Sequence, residues 1–376
     1  MTGHVLHLAT THAATDPRIV RKEATALAAA GLRVGLVLPA EADGAVGDVA
    51  LHAVPAPASG RERVTRTTRA VVRRALAEAG PGTVFHLHDS DLLPLGIALA
   101  LRGRRVVYDA HEDSPRQALH QPWLPRPLRR PLGLAYAGVE AVAGRLFDGV
   151  VAAEPAIAAR YPAGKTALVR NFPLADELAP ASGRPFAGRE RAVAYVGSIT
   201  RPRGVEEMVA AAAGAGAELH LAGGFHPASL RAEVEAAPGV RVHGYLDRPE
   251  VAALLGRVRA GLVVLHPTPK YLEAYPTKLF EYMAAGLPVV ASDFPALRPF
   301  VEPHRCGLLV DPLDVGAVRD ALARLLDDPA EAEAMGRRGR EAVLARYTWA
   351  PEGRRLLAFY EALLAGDRRP GLAARA

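Results

Sequence analysis

Two glutamates stand seven residues apart around a proline and a lysine in Glu273-Ala-Tyr-Pro-Thr-Lys-Leu-Phe-Glu281. Proline suits the first position of a helix, so Pro276 reads as a helix start. The amides of Thr277, Lys278 and Leu279 then point out of that helix end. Together with the Lys278 ammonium they form an anion site. Two carboxylates beside an anion site do not bind the anion. They suit the hydroxyls of a sugar ring and a ribose, and the whole stretch suits a sugar diphosphate. The competing reading has both glutamates solvated and Lys278 as an ordinary helix lysine.

Other places could join this chemistry. His111 follows the strand Arg105–Asp109, where an imidazole can donate to a sugar hydroxyl or shuttle a proton. The competing role is a structural hydrogen bond beside Glu112 and Asp113. Arg203 lies in the loop Ser198–Gly204, just before a helix. Asp89-Ser90-Asp91 has metal-like spacing, and His86 and His88 share a strand face. Capping of a helix Leu92–Leu101 is the preferred reading, and no metal site is assigned. In the polar loop Thr10–Arg18, Asp16 caps a helix that starts at Pro17 and ends at Gly31.

The elements that must position these groups repeat one plan. Leu262–Leu265 is an apolar strand ending at His266. Leu279, Tyr282 and Met283 give the next helix a buried face. Gly286 and Pro288 stop it, and Val289–Ala291 is the following strand. Val5–Ala9, the loop to Arg18, a helix and Val34–Leu38 open the chain in the same way. Loops at the carboxyl ends of such strands are where open parallel sheets bind ligands. The fingerprint G-x-G-x-x-G is absent, which argues against a dinucleotide. Residues 1–172 form one expected domain and 190–350 another, with a closing helix over 351–366. The Pro/Gly-rich stretch Asn171–Arg191 joins them.

With 376 residues, half of them apolar, the chain can build two cores. Its single cysteine, Cys306, allows no internal disulfide and fits a cytoplasmic home. No signal peptide and no membrane span is read. The net charge of +6 is modest. The predicted helix Arg61–Ala77 carries Arg61, Arg66, Arg69, Arg73 and Arg74 on one face. That face is either solvated or turned to an anionic membrane or acidic acceptor. No nucleic-acid motif accompanies it. The segment Pro115–Pro131, with Trp123, reads as a mobile or membrane-proximal loop, and the end of the chain from Gly366 reads as loose.

Glu273 and Glu281, followed by Ala-Ala-Gly-Leu-Pro-Val-Val-Ala-Ser292, resemble the E-x7-E motif of the GT-B retaining glycosyltransferases of family 4. The resemblance runs from about Thr10 to Tyr360 and is looser in the first half. It implies an α/β GT-B fold: two Rossmann-like domains facing a cleft, with the last helix crossing back to the first domain. It implies metal-independent retaining transfer of a hexosyl group from a nucleoside diphosphate sugar, of UDP or GDP type, to an acceptor hydroxyl. Catalysis would rest on His111, Glu273, Arg203 and Lys278. The donor would meet Gly197, Arg203, Gly223, Tyr245, Pro276, Thr277, Lys278, Leu279 and Glu281. Glu273 would face the sugar and Glu281 the ribose. Where the family has two cations, Ser198 replaces the first, with Arg201 as a substitute, and Arg203 replaces the second. His12, Asp16 and Arg18 would lie on the acceptor side. The acceptor would be a small molecule, a glycan or a lipid-linked molecule, with no cofactor and no nucleic acid involved. The protein would sit in the cytoplasm, peripheral to the inner face of the membrane. A nucleotide-sugar epimerase or hydrolase of the same fold is the alternative enzyme, and a non-catalytic nucleotide-sugar-binding protein is the alternative from another class.

Overall fold

The structure, a computed structural model, describes residues 3–119, 125–175, 177–178 and 185–366. Trp123, part of the expected joining stretch and the chain beyond Gly366 lie outside them. The chain divides into two units, one of residues 1–171 with 350–376 and one of 172–349.

The first unit is built on one sheet of eight strands. They are β1 (His4–Leu8), β2 (Arg33–Pro39), β3 (Gly44–Val46), β4 (Val49–Val54), β5 (Val84–Leu87), β6 (Arg105–Ala110), β7 (Gly149–Ala152) and β8 (Thr166–Leu168). Their order is β3-β4-β2-β1-β5-β6-β7-β8. Only the β3–β4 pair is antiparallel. Strands covered on both faces should be apolar throughout, and Leu6, Leu8, Val37, Phe85, Leu87, Val106 and Val150 are wholly buried. His7 on β1 and His86 on β5 break that rule, because they are equally buried. The closing helix Trp349–Leu364 belongs to this unit from Ala350 onward. There the Tyr360 hydroxyl meets His86 Nδ1 at 2.9 Å.

The second unit has β9 (Ala192–Val196), β10 (Glu218–Ala222), β11 (Val240–Gly244), β12 (Ala260–Val263), β13 (Val289–Ser292) and β14 (Gly307–Val310). Their order is β11-β10-β9-β12-β13-β14, and all pairs are parallel. This is the doubly wound order, in which the chain reverses direction across the sheet between β9 and β12. A crevice opens at the carboxyl ends of strands at such a reversal, and ligands bind there. In the first unit the same reversal lies between β1 and β5. Both reversals therefore fall beside the loops that carry the candidate residues.

Some boundaries differ from expectation. The helix after β12 covers Thr277–Ala284, with Pro276 as its extended N-cap and not its first turn. The expected helix over 17–31 is a wider π-type turn, Ile19–Ala24, followed by an α-helix, Thr25–Ala29. Asp16 still caps it, its Oδ1 accepting from the amides of Arg18 and Ile19 at 2.9 and 2.8 Å. Asp89 makes no capping bond. Its carboxylate instead takes the Thr10 amide at 2.6 Å and the Thr11 hydroxyl at 2.7 Å. Asp91 accepts the hydroxyls of Thr10 and Thr68 at 3.0 and 3.1 Å. The pair latches the loop after β1, which the sheet places next door.

Candidate functional site

In the second unit the site is built around a glycine. Gly197 follows β9 with φ +134°, a conformation that side chains rarely adopt. A Cβ there would stand 3.1 Å from Lys278 Nζ and 3.8 Å from Arg203 Nη1. The two cations, 75 positions apart in the chain, therefore flank one glycine at the reversal point. Gly223 (φ +139°) packs directly on this turn, and a Cβ on it would overlap the Gly197 carbonyl oxygen.

Each cation is held. Lys278 is buried, its ammonium 4.6 Å above the Tyr195 ring and 3.2 Å from the Tyr195 hydroxyl. Arg203 donates from Nε to the Tyr271 hydroxyl and from Nη1 to the Ser198 carbonyl, both at 3.2 Å. Burial opposes its charge, but Tyr195 and Tyr271 outweigh that and raise its pKa. Arg201 does not take the missing cation's place, because it is paired with Glu206 at 2.8 Å and Glu233 at 2.6 Å.

The helix N-terminus is narrower as an anion site than its sequence suggests. Leu279 donates its amide to the Pro276 carbonyl at 3.0 Å. Its side chain is wholly buried. The amides of Thr277 and Lys278 remain as the outward pair of that turn. Glu281, half-buried one turn further on, accepts from Arg248 at 2.9 Å, and Arg248 also meets Glu177 at 2.8 Å. Glu273 is exposed on the loop before the helix. Tyr245 is 80% exposed, next to Gly244, whose carbonyl takes the Gly223 amide.

In the first unit, two histidines face each other across the reversal. His12 Nε2 and His111 Nε2 are 3.3 Å apart. Each ring is oriented through Nδ1 by a carboxylate: Asp16 holds His12 at 2.8 Å and Asp109 holds His111 at 3.0 Å. Burial alone would lower the His12 pKa. The hydrogen bond from Asp16 and the charges of Asp89, Asp16 and Glu112 prevail and raise it to about 9. For Asp16, burial is outweighed by His12, and its pKa falls to about 2.

Arg18 is not an acceptor contact. It is 4% exposed, and its guanidinium grips Asp109 twice, at 2.9 and 2.6 Å, and reaches the Val169 carbonyl at 3.0 Å. It fixes the carboxylate that fixes His111. Asp109 also accepts from His88 Nδ1 at 3.0 Å. Burial would push the Asp109 pKa up, but Arg18 and His111 hold it well below the usual carboxylate range. His88, Asp109 and His111 are close enough to share a cation, yet these atoms are already spent on one another. Sequence reading missed Asp109 and Arg248. The only local signal was a carboxylate two residues before His111, and for Arg248 there was none.

Two units, each wound about a reversal point, and a cation pair at one of them define an α/β protein suited to hold an anion at a sheet edge. The comparisons agree. Residues 17–164 match Glycosyltransferase Family 4, and residues 182–342 match Glycosyl transferases group 1. The chain is 26% identical over 302 residues to the MMP alpha-(1->4)-mannosyltransferase of Mycolicibacterium hassiacum, covering 74% of this chain and 71% of that one. It is 27% identical over 359 residues to the phosphatidyl-myo-inositol mannosyltransferase of Mycobacterium leprae, covering 90% of each. The sucrose-phosphate synthase of Thermosynechococcus elongatus has the same fold, with a TM-score of 0.77 at 23% identity over 97% of this chain and 100% of that one. The chain is a glycosyltransferase of the GT-B fold.

Proposed function

We propose that the protein is a retaining, metal-independent glycosyltransferase of family 4. It moves a hexosyl group from a UDP- or GDP-linked donor to an acceptor hydroxyl. The observation that carries this reading is the convergence of Lys278 and Arg203 on Gly197. As the sugar bond breaks, negative charge grows on the leaving diphosphate, and preorganised cations and helix amides are suited to take it. Glu281, aligned by Arg248, accepts the ribose hydroxyls, and Glu273 serves the sugar. His111, oriented by Asp109 and paired through Nε2 with His12, serves the reacting sugar, and His12 serves the acceptor.

The acceptor is anionic or membrane-borne in this reading. Arg66, Arg69 and Arg73 line a groove of about 490 Å³ with Pro55, Thr65 and Ala70. Among the described residues no helix is long and apolar enough to cross a membrane, so contact with an anionic surface would be peripheral. The Mycobacterium leprae relative is named for a phosphatidylinositol acceptor. The test is a thermal-shift panel of UDP-, GDP-, ADP- and TDP-sugars, because a ligand of the folded state raises the melting temperature. A shift by one uridine or guanosine donor is expected, followed by transfer with retained anomeric configuration. No shift with any donor, or an inverted product, overturns the reading. Turnover without an acceptor would favour the hydrolase or epimerase alternative.

A further inference from the structure

Beneath the histidine pair lies a group of side chains that the transfer chemistry does not use. His7 on β1, His86 on β5 and Glu23 in the turn Ile19–Ala24 are wholly buried. Hydrogen bonding decides which of their atoms are open. Asp109, gripped by Arg18 through both oxygens, is a carboxylate and can only accept. His88 Nδ1 therefore donates to it. His88 Nε2 is then a lone pair, and it accepts from His7 Nδ1 at 2.8 Å. This leaves His7 Nε2 as a second lone pair, buried and without a hydrogen-bond partner among the described residues. His86 engages the Tyr360 hydroxyl through Nδ1, and its Nε2 is likewise buried and unpartnered. Both Glu23 oxygens are in the same state. Oε1 faces Arg18 at 3.0 Å outside hydrogen-bond geometry, and Oε2 faces His86 Nε2 at 4.0 Å.

Buried polar atoms left unpaired are costly, and several gathered in one place call for an occupant. His7, Glu23, His86 and His88 each bring a ligand-type atom within 4.8 Å of the others. Neighbouring ligands of a tetrahedral zinc ion, with bonds near 2.0 Å, stand about 3.3 Å apart. His86 Nε2 and Glu23 Oε2, 4.0 Å apart, stand about 0.7 Å wider than that. The outer atoms also fit. A ligating imidazole characteristically passes its other N–H to a carboxylate or another acceptor. Here His7 does so through His88 to Asp109, and His86 does so to Tyr360. Imidazole nitrogens favour zinc-like transition metals over magnesium, so this site is distinct from any that serves a diphosphate.

We propose that His7 Nε2, His86 Nε2 and the Glu23 carboxylate bind one zinc-type dication as a structural centre of the first unit. The ion would tie β1, β5, the turn after the first loop and, through Tyr360, the closing helix. Being enclosed, it would enter as the chain folds.

The test measures metal in the full-length protein. Wild type is unfolded, stripped with chelator, and refolded with Zn²⁺, with Co²⁺ or with neither. Expected are one equivalent of metal per chain by mass spectrometry, visible d–d bands with Co²⁺, and a higher melting temperature than the metal-free sample. Glu23→Gln and His86→Asn should lose the stoichiometric metal and the bands. His220→Gln, in the second unit, should keep both. A wild-type protein that refolds with no bound equivalent, no bands and no gain in melting temperature overturns the proposal, whether or not the variants fold. Equal metal binding by wild type and Glu23→Gln overturns it as well.

Discussion

Removing one cation at Gly197 should slow the chemical step more than it weakens donor binding. The geometry sets the size of the effect. Lys278 Nζ and Arg203 Nη1 stand 3.1 and 3.8 Å from the Gly197 Cβ position. Placed end to end, those distances put the nitrogens no more than about 7 Å apart, within the reach of one diphosphate. In the proposed transfer each would supply a hydrogen bond to a charged oxygen, worth about 1.5–3 kcal/mol. Lys278→Ala and Arg203→Ala should therefore each lower kcat by about ten- to a hundredfold, at 1.36 kcal/mol per factor of ten. The change in KM for donor should be smaller, because the charge they meet develops fully only as the bond breaks. The combined variant should fall short of the product of the single effects, since the two act as a unit. Loss of Lys278 strands no partner, because the Tyr195 hydroxyl also donates to the Ser198 carbonyl at 2.9 Å. The assay is steady-state transfer from the donor that the thermal-shift panel selects, with EDTA present and absent. EDTA should leave the rate intact. Strict multiplication of the two effects, or a KM rise with kcat unchanged, would refute the shared grip. Abolition by EDTA with rescue by magnesium or manganese would move the charge to a bound ion.

Glu281→Ala should weaken nucleotide binding about ten- to a hundredfold by the same hydrogen-bond reckoning, while Glu273→Ala mainly lowers turnover; calorimetry with free nucleoside diphosphate separates the two. His111→Ala should keep affinity for the free nucleotide and lose transfer, and near-normal turnover would reduce this imidazole to a structural bond. The His12–Asp16 pair predicts a pH dependence of stability. The His12 pKa is raised from 6.5 to about 9, so its contribution is fully present below about pH 6.5 and lost as pH rises through 9. Some 2.5 pKa units correspond to about 3 kcal/mol, which denaturant titration of wild type against His12→Gln should reveal as a gap that closes on the alkaline side. If the groove face of Arg66, Arg69 and Arg73 meets lipid, binding to anionic vesicles should fall steeply with salt, by about 1 kcal/mol for each arginine removed; a protein that stays free at low salt has a soluble acceptor. Arg74 should contribute little, since Asp43 and Glu78 already neutralise it.

The legible parts of this molecule were those written locally. Gly286, Pro276 and the i, i+3, i+4 apolar spacing mark one helix and its ends within a dozen residues, and the alternation of strand and helix gives the parallel sheets. Lys278 and Arg203 were readable because each sits at a strand-to-helix loop, and such loops share one edge of the sheet. The first unit's site was not readable in that way. Arg18 lies 91 residues from Asp109 in the chain, and only the sheet order brings them together. A surface arginine and a buried clamp look alike in sequence. Asp89 and Asp91 have the local signature of a cap, but Thr10 and Thr11, carried in by the neighbouring strand, compete for the same oxygens and win. Arg201 had the right charge at the right loop and was taken by Glu233, again from outside the local window.

The closing helix has a consequence for the order of synthesis. The first unit is discontinuous: its last piece begins at residue 350, after the entire second unit. Glu352 accepts the Arg170 amide at 2.9 Å, Phe359 lies against Gly149, and Tyr360 reaches His86. A ribosome adding about 5–20 residues per second needs roughly 10–35 s to make the 178 residues between. Throughout that interval β7 and the buried histidine strands lack their cover. The second unit, contiguous from 172 to 349, can meanwhile finish folding. The part made first is thus the part completed last, and a nascent chain stalled before Tyr360 would present an open apolar seam to whatever chaperone waits at the tunnel exit.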